Sequence, residues 1–206
     1  MDPVLFPRTT RYLASLPNGL LSHPECQGKA SLYREALKNC PRPVDTQGLH
    51  SLLTDYIVEP VPVTSWIPEV VSNALYLVIA DQVFKNDEAF LDWISDFSRK
   101  VFEAPMYRVL MAVASPERLA NGGQRRWANF HTGIDYDLVI GPNGTEATMK
   151  FPTNLFDKLV FRAHLRAIEA AYRASGAKNA VMELDSLGAN EARFRAVWYP
   201  ERLVTR

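Results

Sequence analysis

The sequence predicts an α+β protein in which an N-terminal bundle of about five helices packs on a four-stranded antiparallel sheet of β-β-α-β-β order. Two patterns lead to this prediction. Residues 29–123 repeat apolar side chains at helical spacing, whereas residues 126–199 alternate apolar and polar side chains in four short runs placed around one amphipathic helix. A sheet with one apolar face needs a covering layer, and helices can supply it.

The helices of the first half follow an N-terminal arm. Residues 29–39 and 47–58 fit amphipathic helices, and Glu59-Pro60-Val61-Pro62-Val63 must then be extended because each proline lacks a donor and restricts its predecessor. The next helix runs from residue 64 or 65 to 84. It is apolar almost all round, which predicts a central position.

Two further helices are predicted before the sheet. Asn86-Asp87 begins one that continues to Phe102, and Pro105 begins another that runs from Met106 through Val113 and is interrupted or restarted at Ser115-Pro116. Residues 119–123 then end the helical half.

The sheet begins with a strand at 128–140 and a turn at Gly141-Pro142-Asn143-Gly144, followed by a strand at 145–151. Thr153 or Asn154 is expected to cap a long helix that stops at Ser175-Gly176. Residues 180–185 and 192–198 form the closing strands. The outer sheet face should carry charged side chains: Glu146, Lys150, Glu183, Asp185, Arg193 and Arg195.

Composition favours a single globular domain over residues 1–206, divided into an N-terminal arm and helices (1–63), central helices (64–125) and the sheet layer (126–199). The 23 basic residues balance the 23 acidic ones, so no basic field favours nucleic acid. No run approaches the roughly 18 apolar residues that a membrane span needs. A cytoplasmic location with reduced thiols at Cys26 and Cys40 is therefore expected.

Several polar and aromatic residues are candidates for a ligand or partner surface. Trp127, Asn129, His131 and Asp135 would share the polar side of the first strand, where Asp135 could also orient His131. Large aromatic residues of the central helices could line a cleft, although each is individually expected in the core. They are Trp66, Phe84, Phe90, Trp93, Phe97 and Phe102, and Trp93 and Phe97 are the two included in the predicted surface.

Other candidate chemistry is weaker. His23-Pro24-Glu25-Cys26 is expected to be a structural loop, since a metal corner needs further ligands and a thiol nucleophile needs an organised base. His164 lies beside the apolar stripe of the long helix, where an interior histidine with satisfied hydrogen bonds is expected. No hydrolase, zinc-protease or dinucleotide motif occurs, so no catalytic residue, metal or cofactor is predicted.

Several segments resemble known families over roughly residues 60–199. They are Ser115-Pro116-Glu117-Arg118-Leu119, Trp127-Ala128-Asn129-Phe130-His131 with Gly133, and Ala192-Arg193-Phe194-Arg195-Ala196-Val197-Trp198. The pattern resembles a myxobacterial-type paralogous family of about 200 residues. It is similar in turn to 4-vinyl-reductase, haem nitric-oxide-binding and TRAPP-like sensor domains.

The resemblance implies a helical half packed on a four-stranded sheet, with small apolar ligands bound in the cleft between the halves or partners bound on the surface. Haem-binding members carry a Tyr-x-Ser-x-Arg motif near a proximal histidine, and none of the four histidines here has that motif nearby. Haem is therefore not expected.

These observations predict a non-enzymatic sensory or regulatory module that binds a small apolar ligand or a protein partner. A homodimeric scaffold or assembly protein is the alternative. An enzyme using His131 with Asp135, or His23 with Cys26, is a second alternative.

Overall fold

The computed structural model describes residues 1–103, 115–141, 144–177 and 179–198, and within them the mixed α+β class is confirmed. The predicted helix from Met106 through Val113 and the turn residues Pro142 and Asn143 lie outside this part. The helices are α1 (Pro7–Ala14), α2 (Ala30–Lys38), α3 (Ser51–Val58), α4 (Glu69–Val83), α5 (Asp87–Glu103), α6 (Pro116–Asn121), α7 (Gly123–Ala128) and α8 (Lys158–Ala174). The strands are β1 (Gln27–Lys29), β2 (Trp66–Pro68), β3 (His131–Thr132), β4 (Asp135–Gly141), β5 (Gly144–Lys150), β6 (Val181–Leu187) and β7 (Glu191–Val197).

The larger sheet has the spatial order β4-β5-β7-β6, and all its neighbouring strands are antiparallel. Its inner face packs on α8, where the Phe161 ring meets the Phe194 ring edge-on at 5.7 Å. The cap of α8 is Asp157, whose carboxylate accepts a hydrogen bond from the Leu159 amide at 2.7 Å. The helix therefore begins a few residues later than Thr153 or Asn154, the caps predicted from the sequence.

A second sheet of order β2-β1-β3 lies at the junction between the helical part and the larger sheet. Its strands contain only two or three residues each, and Gly28 of β1 lies opposite both Ile67 of β2 and His131 of β3. This sheet was not predicted, because strands this short show no period-two pattern.

The chain between Trp127 and Asp135 is not one strand. Helix α7 occupies the residues up to Ala128, and Gly133 has φ of +73° between β3 and β4. An added Cβ at Gly133 would lie 2.6 Å from the Glu25 carbonyl oxygen, so only glycine fits this bend. The predicted strand over 128–140 is thus a helix end, a strand of the small sheet and, after the bend, an edge strand of the large one.

Helix α4 is the central helix, as its apolar surface predicts. Its residues from Glu69 to Ala80 are buried without interruption. One core cluster contains buried residues from the N-terminal helices together with residues of the larger sheet, such as Met149 and Phe194. None of the helices in the described part of the chain is long and apolar enough to cross a membrane. The domain boundaries and the cytoplasmic location stay predictions.

Gly28 gives a direct test of the junction between β1 and α4. An added Cβ there would lie 2.6 Å from Glu69 Oε2, and this oxygen is held by His131. We expect Gly28→Ala to lower the free energy of unfolding by about 1–3 kcal/mol through overpacking. Urea denaturation measures this change.

Gly188→Ala is the matched control, since an added Cβ there would have ordinary contact at 3.5 Å with the Glu191 oxygen. We expect its free energy of unfolding to stay within about 0.5 kcal/mol of wild type. Equal stability of the two variants would contradict close packing of Gly28 on Glu69.

Candidate functional site

A groove of about 360 Å³ opens where α7 meets the edge strand β4. Its walls combine aromatic and apolar side chains with charged and amide groups. The lining residues are Gln124, Trp127, Ala128, Ile134, Asp135, Tyr136, Asp137 and Lys150. The groove volume lies near the lower end of the usual range for ligand pockets, roughly 300–1,000 Å³.

Behind the groove, Trp127 covers a buried pair of side chains, His131 and Glu69. Its indole stacks on the His131 imidazole with ring centroids 3.9 Å apart and an interplanar angle of 14°. His131 Nδ1 donates a hydrogen bond of 3.0 Å to Glu69 Oε2, and both side chains are buried. Burial raises the pKa of the Glu69 carboxyl, but the electrostatic interaction with His131 and the hydrogen bond from it outweigh burial and leave this pKa below its usual value.

His164 completes a cluster of rings around this pair. Its imidazole meets the ring of His131 edge-on at 5.5 Å and the ring of Phe156 edge-on at 5.6 Å. Burial, and secondarily the nearby His131, lower the pKa of His164 to about 4, although Glu69 acts in the opposite direction. His164 is thus neutral in the folded protein at pH 7.

Polar atoms of this cluster remain able to form further hydrogen bonds. Among the described residues, buried atoms without a hydrogen-bond partner include Glu69 Oε1, Trp127 Nε1 and His164 Nδ1. The buried imidazole of His164 is therefore not satisfied at Nδ1, contrary to the sequence prediction. An unsatisfied buried polar atom costs about 1–3 kcal/mol, which makes such a cluster unusual for a purely structural core.

The charges of the groove lie on β4 and β5. Asp135 is directly opposite Lys150 in the strand register, yet neither side chain forms an ion pair with another described residue. Asp137 accepts a hydrogen bond of 3.3 Å from Gln124 Nε2. Asp135, Asp137 and Lys150 are all exposed.

The structure brings three of the predicted surface residues to this place. Trp127 and Asp135 line the groove, and His131 lies directly behind Trp127. Asn129 follows α7 as an exposed residue and is not part of the lining. The hydrogen bond of His131 is to Glu69, so Asp135 does not orient the imidazole as the sequence suggested.

Trp93 and Phe97 lie on α5, away from the groove. They stack on each other with centroids 5.7 Å apart, and the Trp93 indole donates to the Asn39 carbonyl at 3.2 Å. Trp93 also packs on Phe84. Trp66 is partly exposed, beneath the Lys29 ammonium at 3.9 Å from the ring centroid. Phe84, Phe90, Trp93 and Phe97 therefore pack among themselves, and none of the central aromatics lines the groove.

The loop at His23 and Cys26 is joined by hydrogen bonds to two distant segments of the chain. His23 Nε2 donates to the Thr153 carbonyl at 3.0 Å, and Cys26 Sγ donates to the Gly133 carbonyl at 3.1 Å. Burial raises the pKa of the Cys26 thiol to about 12, with Glu25 and Glu69 adding to the effect. A thiol this weakly acidic is a poor nucleophile.

The roles of Glu69, Gln124, Tyr136 and Lys150 were not predicted from the sequence. A carboxylate such as Glu69, in the first turn of an otherwise apolar helix, is nevertheless a usable signal of a buried partner. Lys150 was counted among the solvated charges of the outer face. Its unpaired position opposite Asp135 is visible only in the strand register.

Searches with protein-family models and against curated proteins found no match to this chain. Solved structures do match, and they are H-NOX domains. The structure described as a Cs H-NOX mutant with 4-cyano-L-phenylalanine at site 5 has a TM-score of 0.54 and 11% identity, and it covers 84% of this chain and 97% of that one. A structure on haem distortion in the H-NOX family has a TM-score of 0.54 and 9% identity, with 82% and 93% covered.

The Fe(II) unliganded H-NOX protein from K. algicida has a TM-score of 0.51 and 14% identity, with 84% and 98% of the chains covered. The chain therefore has an H-NOX-like fold. The similarity to haem nitric-oxide-binding domains is supported at the level of the fold, whereas the resemblance to a myxobacterial-type paralogous family gains no support.

The low pKa of His164 predicts acid-sensitive stability. Above pH 6.5 the imidazole is neutral in both the folded and the unfolded chain, but between about pH 6.5 and 4 the unfolded chain binds the proton first. The free energy of unfolding should fall across this window by on the order of 3 kcal/mol. His164→Phe should remove that loss in urea denaturation at pH 7, 5.5 and 4.5.

His50→Asn is the control, because His50 is an exposed cap of α3 and asparagine can cap a helix equally well. Its pH dependence should parallel that of the wild type. The lowered pKa of Glu69 acts at lower pH, below about 4.5, and is common to all variants. An unchanged slope in His164→Phe would show that the imidazole is solvated.

Proposed function

We propose that this protein is a sensory or regulatory module that binds a small ligand in the groove beside Trp127. The single observation that supports this most is the position of Trp127. Its side chain lines the groove and also stacks on His131, which is paired with buried Glu69. A ligand that contacts the indole therefore acts on a residue in contact with the interior.

A shift of the indole has a defined consequence. His131 would lose its stacking partner, and any movement of the imidazole would lengthen its hydrogen bond to the Glu69 carboxylate, which is costly to leave unpaired. Because Glu69 begins α4 and His131 belongs to β3, the displacement would reach both elements. Ligand contact at the surface would in this way alter the junction of the small sheet with the central helix.

Haem is the group that the H-NOX fold suggests, and the described residues do not fit it. One face of the His131 ring is covered by Trp127, and His131 Nδ1 is bonded to Glu69. His164 meets the rings of Tyr76, Trp127 and Phe156 at centroid distances of 5.6–6.3 Å. The groove reaches neither imidazole. A porphyrin could approach either histidine only after displacement of these rings.

The groove lining favours a small polar ligand over the apolar ligand expected from the sequence, since two carboxylates, an ammonium and an amide accompany Trp127, Ile134 and Tyr136. A protein partner and a homodimer stay predictions. The enzyme alternatives lose support, because His131 is engaged by Glu69 and Cys26 is weakly acidic.

Native mass spectrometry of protein purified without denaturation tests the proposal. We expect a small-molecule adduct on wild type and its loss in Trp127→Ala, because this substitution removes the inner wall of the groove. Circular dichroism should show that the variant keeps its helices and strands.

Trp66→Ala is the matched control, since Trp66 is a partly exposed tryptophan outside the groove lining. It should keep the adduct. Two results together would contradict the proposal: no adduct on wild type, and no rise in melting temperature with amino acids, amines or organic acids, since a ligand of the folded state must raise it.

A further inference from the structure

Charged side chains on β4 and β5 differ in their pairing from those elsewhere on the outer face of the sheet. Elsewhere on the outer face of the same sheet, Arg195 pairs with Glu183 at 2.7 Å and with Asp185 at 3.5 Å. Asp135 and Lys150 also face each other across neighbouring strands, but neither forms an ion pair within the part of the chain that the structure describes. The Asp135 carboxylate and the Lys150 ammonium thus lie side by side on the groove lining, and each is available to a ligand.

The other lining residues make the two sides of the groove chemically different. Asp137, two residues after Asp135 on β4, supplies a second carboxylate on the same face of the strand. On the other side, Trp127 and Ile134 supply an apolar wall. One end of the groove therefore suits a cation, an adjacent position suits an anion, and the wall suits an apolar group.

We infer that the groove binds a zwitterion of the α-amino acid class with an apolar or aromatic side chain. The ligand ammonium donates to Asp135 and Asp137, its carboxylate accepts from the Lys150 ammonium, and its side chain lies against Trp127. The inference rests on the proposed function, because it names the ligand of the same groove. Hydrogen bonds between charged groups are the strongest such contacts, so both ligand charges contribute to affinity.

Three aromatic probes separate the contributions of the two charges. L-Phenylalanine carries both, phenethylamine lacks the carboxylate, and 3-phenylpropionate lacks the ammonium. Each is titrated into ¹⁵N-labelled protein while the indole N–H signal of Trp127 is followed by NMR, and its loss in Trp127→Phe assigns that signal. We expect L-phenylalanine to bind about tenfold or more tightly than either analogue, as the loss of one charged hydrogen bond implies.

Variants of the groove rim assign each charge. Lys150→Met should reduce the affinity for L-phenylalanine to that of phenethylamine. Asp135→Asn should reduce it part of the way to that of 3-phenylpropionate, because Asp137 still accepts from the ligand ammonium. Glu146→Gln is the matched control, because Glu146 lies exposed on β5 outside the lining and opposite Val139. It should leave all three affinities unchanged. All these positions are exposed, so the variants should fold.

Different results overturn the inference in distinguishable ways. Phenethylamine binding as tightly as L-phenylalanine would make the groove a site for organic cations, and the zwitterion would be wrong while the proposed function stood. If 3-phenylpropionate bound as tightly as L-phenylalanine, the groove would be a site for organic anions. The zwitterion would then be wrong, and the proposed function would stand. No response of Trp127 to any probe at millimolar concentration, together with no adduct in native mass spectrometry, would overturn both.

Discussion

The buried hydrogen bond between Glu69 and His131 is a strong constraint on the junction of this fold. It joins the first turn of the central helix to the smallest strand, and Gly28 of β1 leaves room for the carboxylate. Apolar packing tolerates many arrangements, whereas a buried carboxylate has few acceptable neighbours. Removing one partner of a buried pair typically costs about 3–5 kcal/mol, so this contact specifies how three elements meet.

The same constraint couples the groove surface at Trp127 to the interior. Contacts between a tryptophan and apolar side chains would fix no particular direction, because the hydrophobic effect is non-directional. Trp127 instead lies on an imidazole whose orientation is fixed by a hydrogen bond, so the position of the indole is coupled to that bond. Coupling of this kind needs no long pathway, because groove, indole, imidazole and carboxylate are consecutive neighbours.

Long periodic segments of this chain can be predicted from sequence, and short contacts between distant segments cannot. The alternation in β5 and β7 and the amphipathic helix α8 are regular over at least seven residues. By contrast, the small sheet unites residues near 28, 67 and 131 through strands of two or three residues. The period-two pattern of 128–140 was also misleading, because the bend at Gly133 is dictated by the backbone of Glu25, far away in the sequence. Trp127, His131 and Asp135 of the candidate site were therefore found by residue type, while the geometry of the site was not.

A shared fold does not fix what a protein binds, and this chain illustrates the physical reason. The rings of Trp127, His131, His164 and Phe156 fill the space around both interior imidazoles. Because these rings occupy that space, the polar groups that a ligand can reach lie further out, on the edge strand β4. Helices α6 and α7 contact this strand, and covering one side of an edge hinders pairing with other chains while leaving a groove beside it. Recognition at such a groove depends on which charged side chains of β4 and β5 line it without an ion pair, and among the described residues these include Asp135 and Lys150.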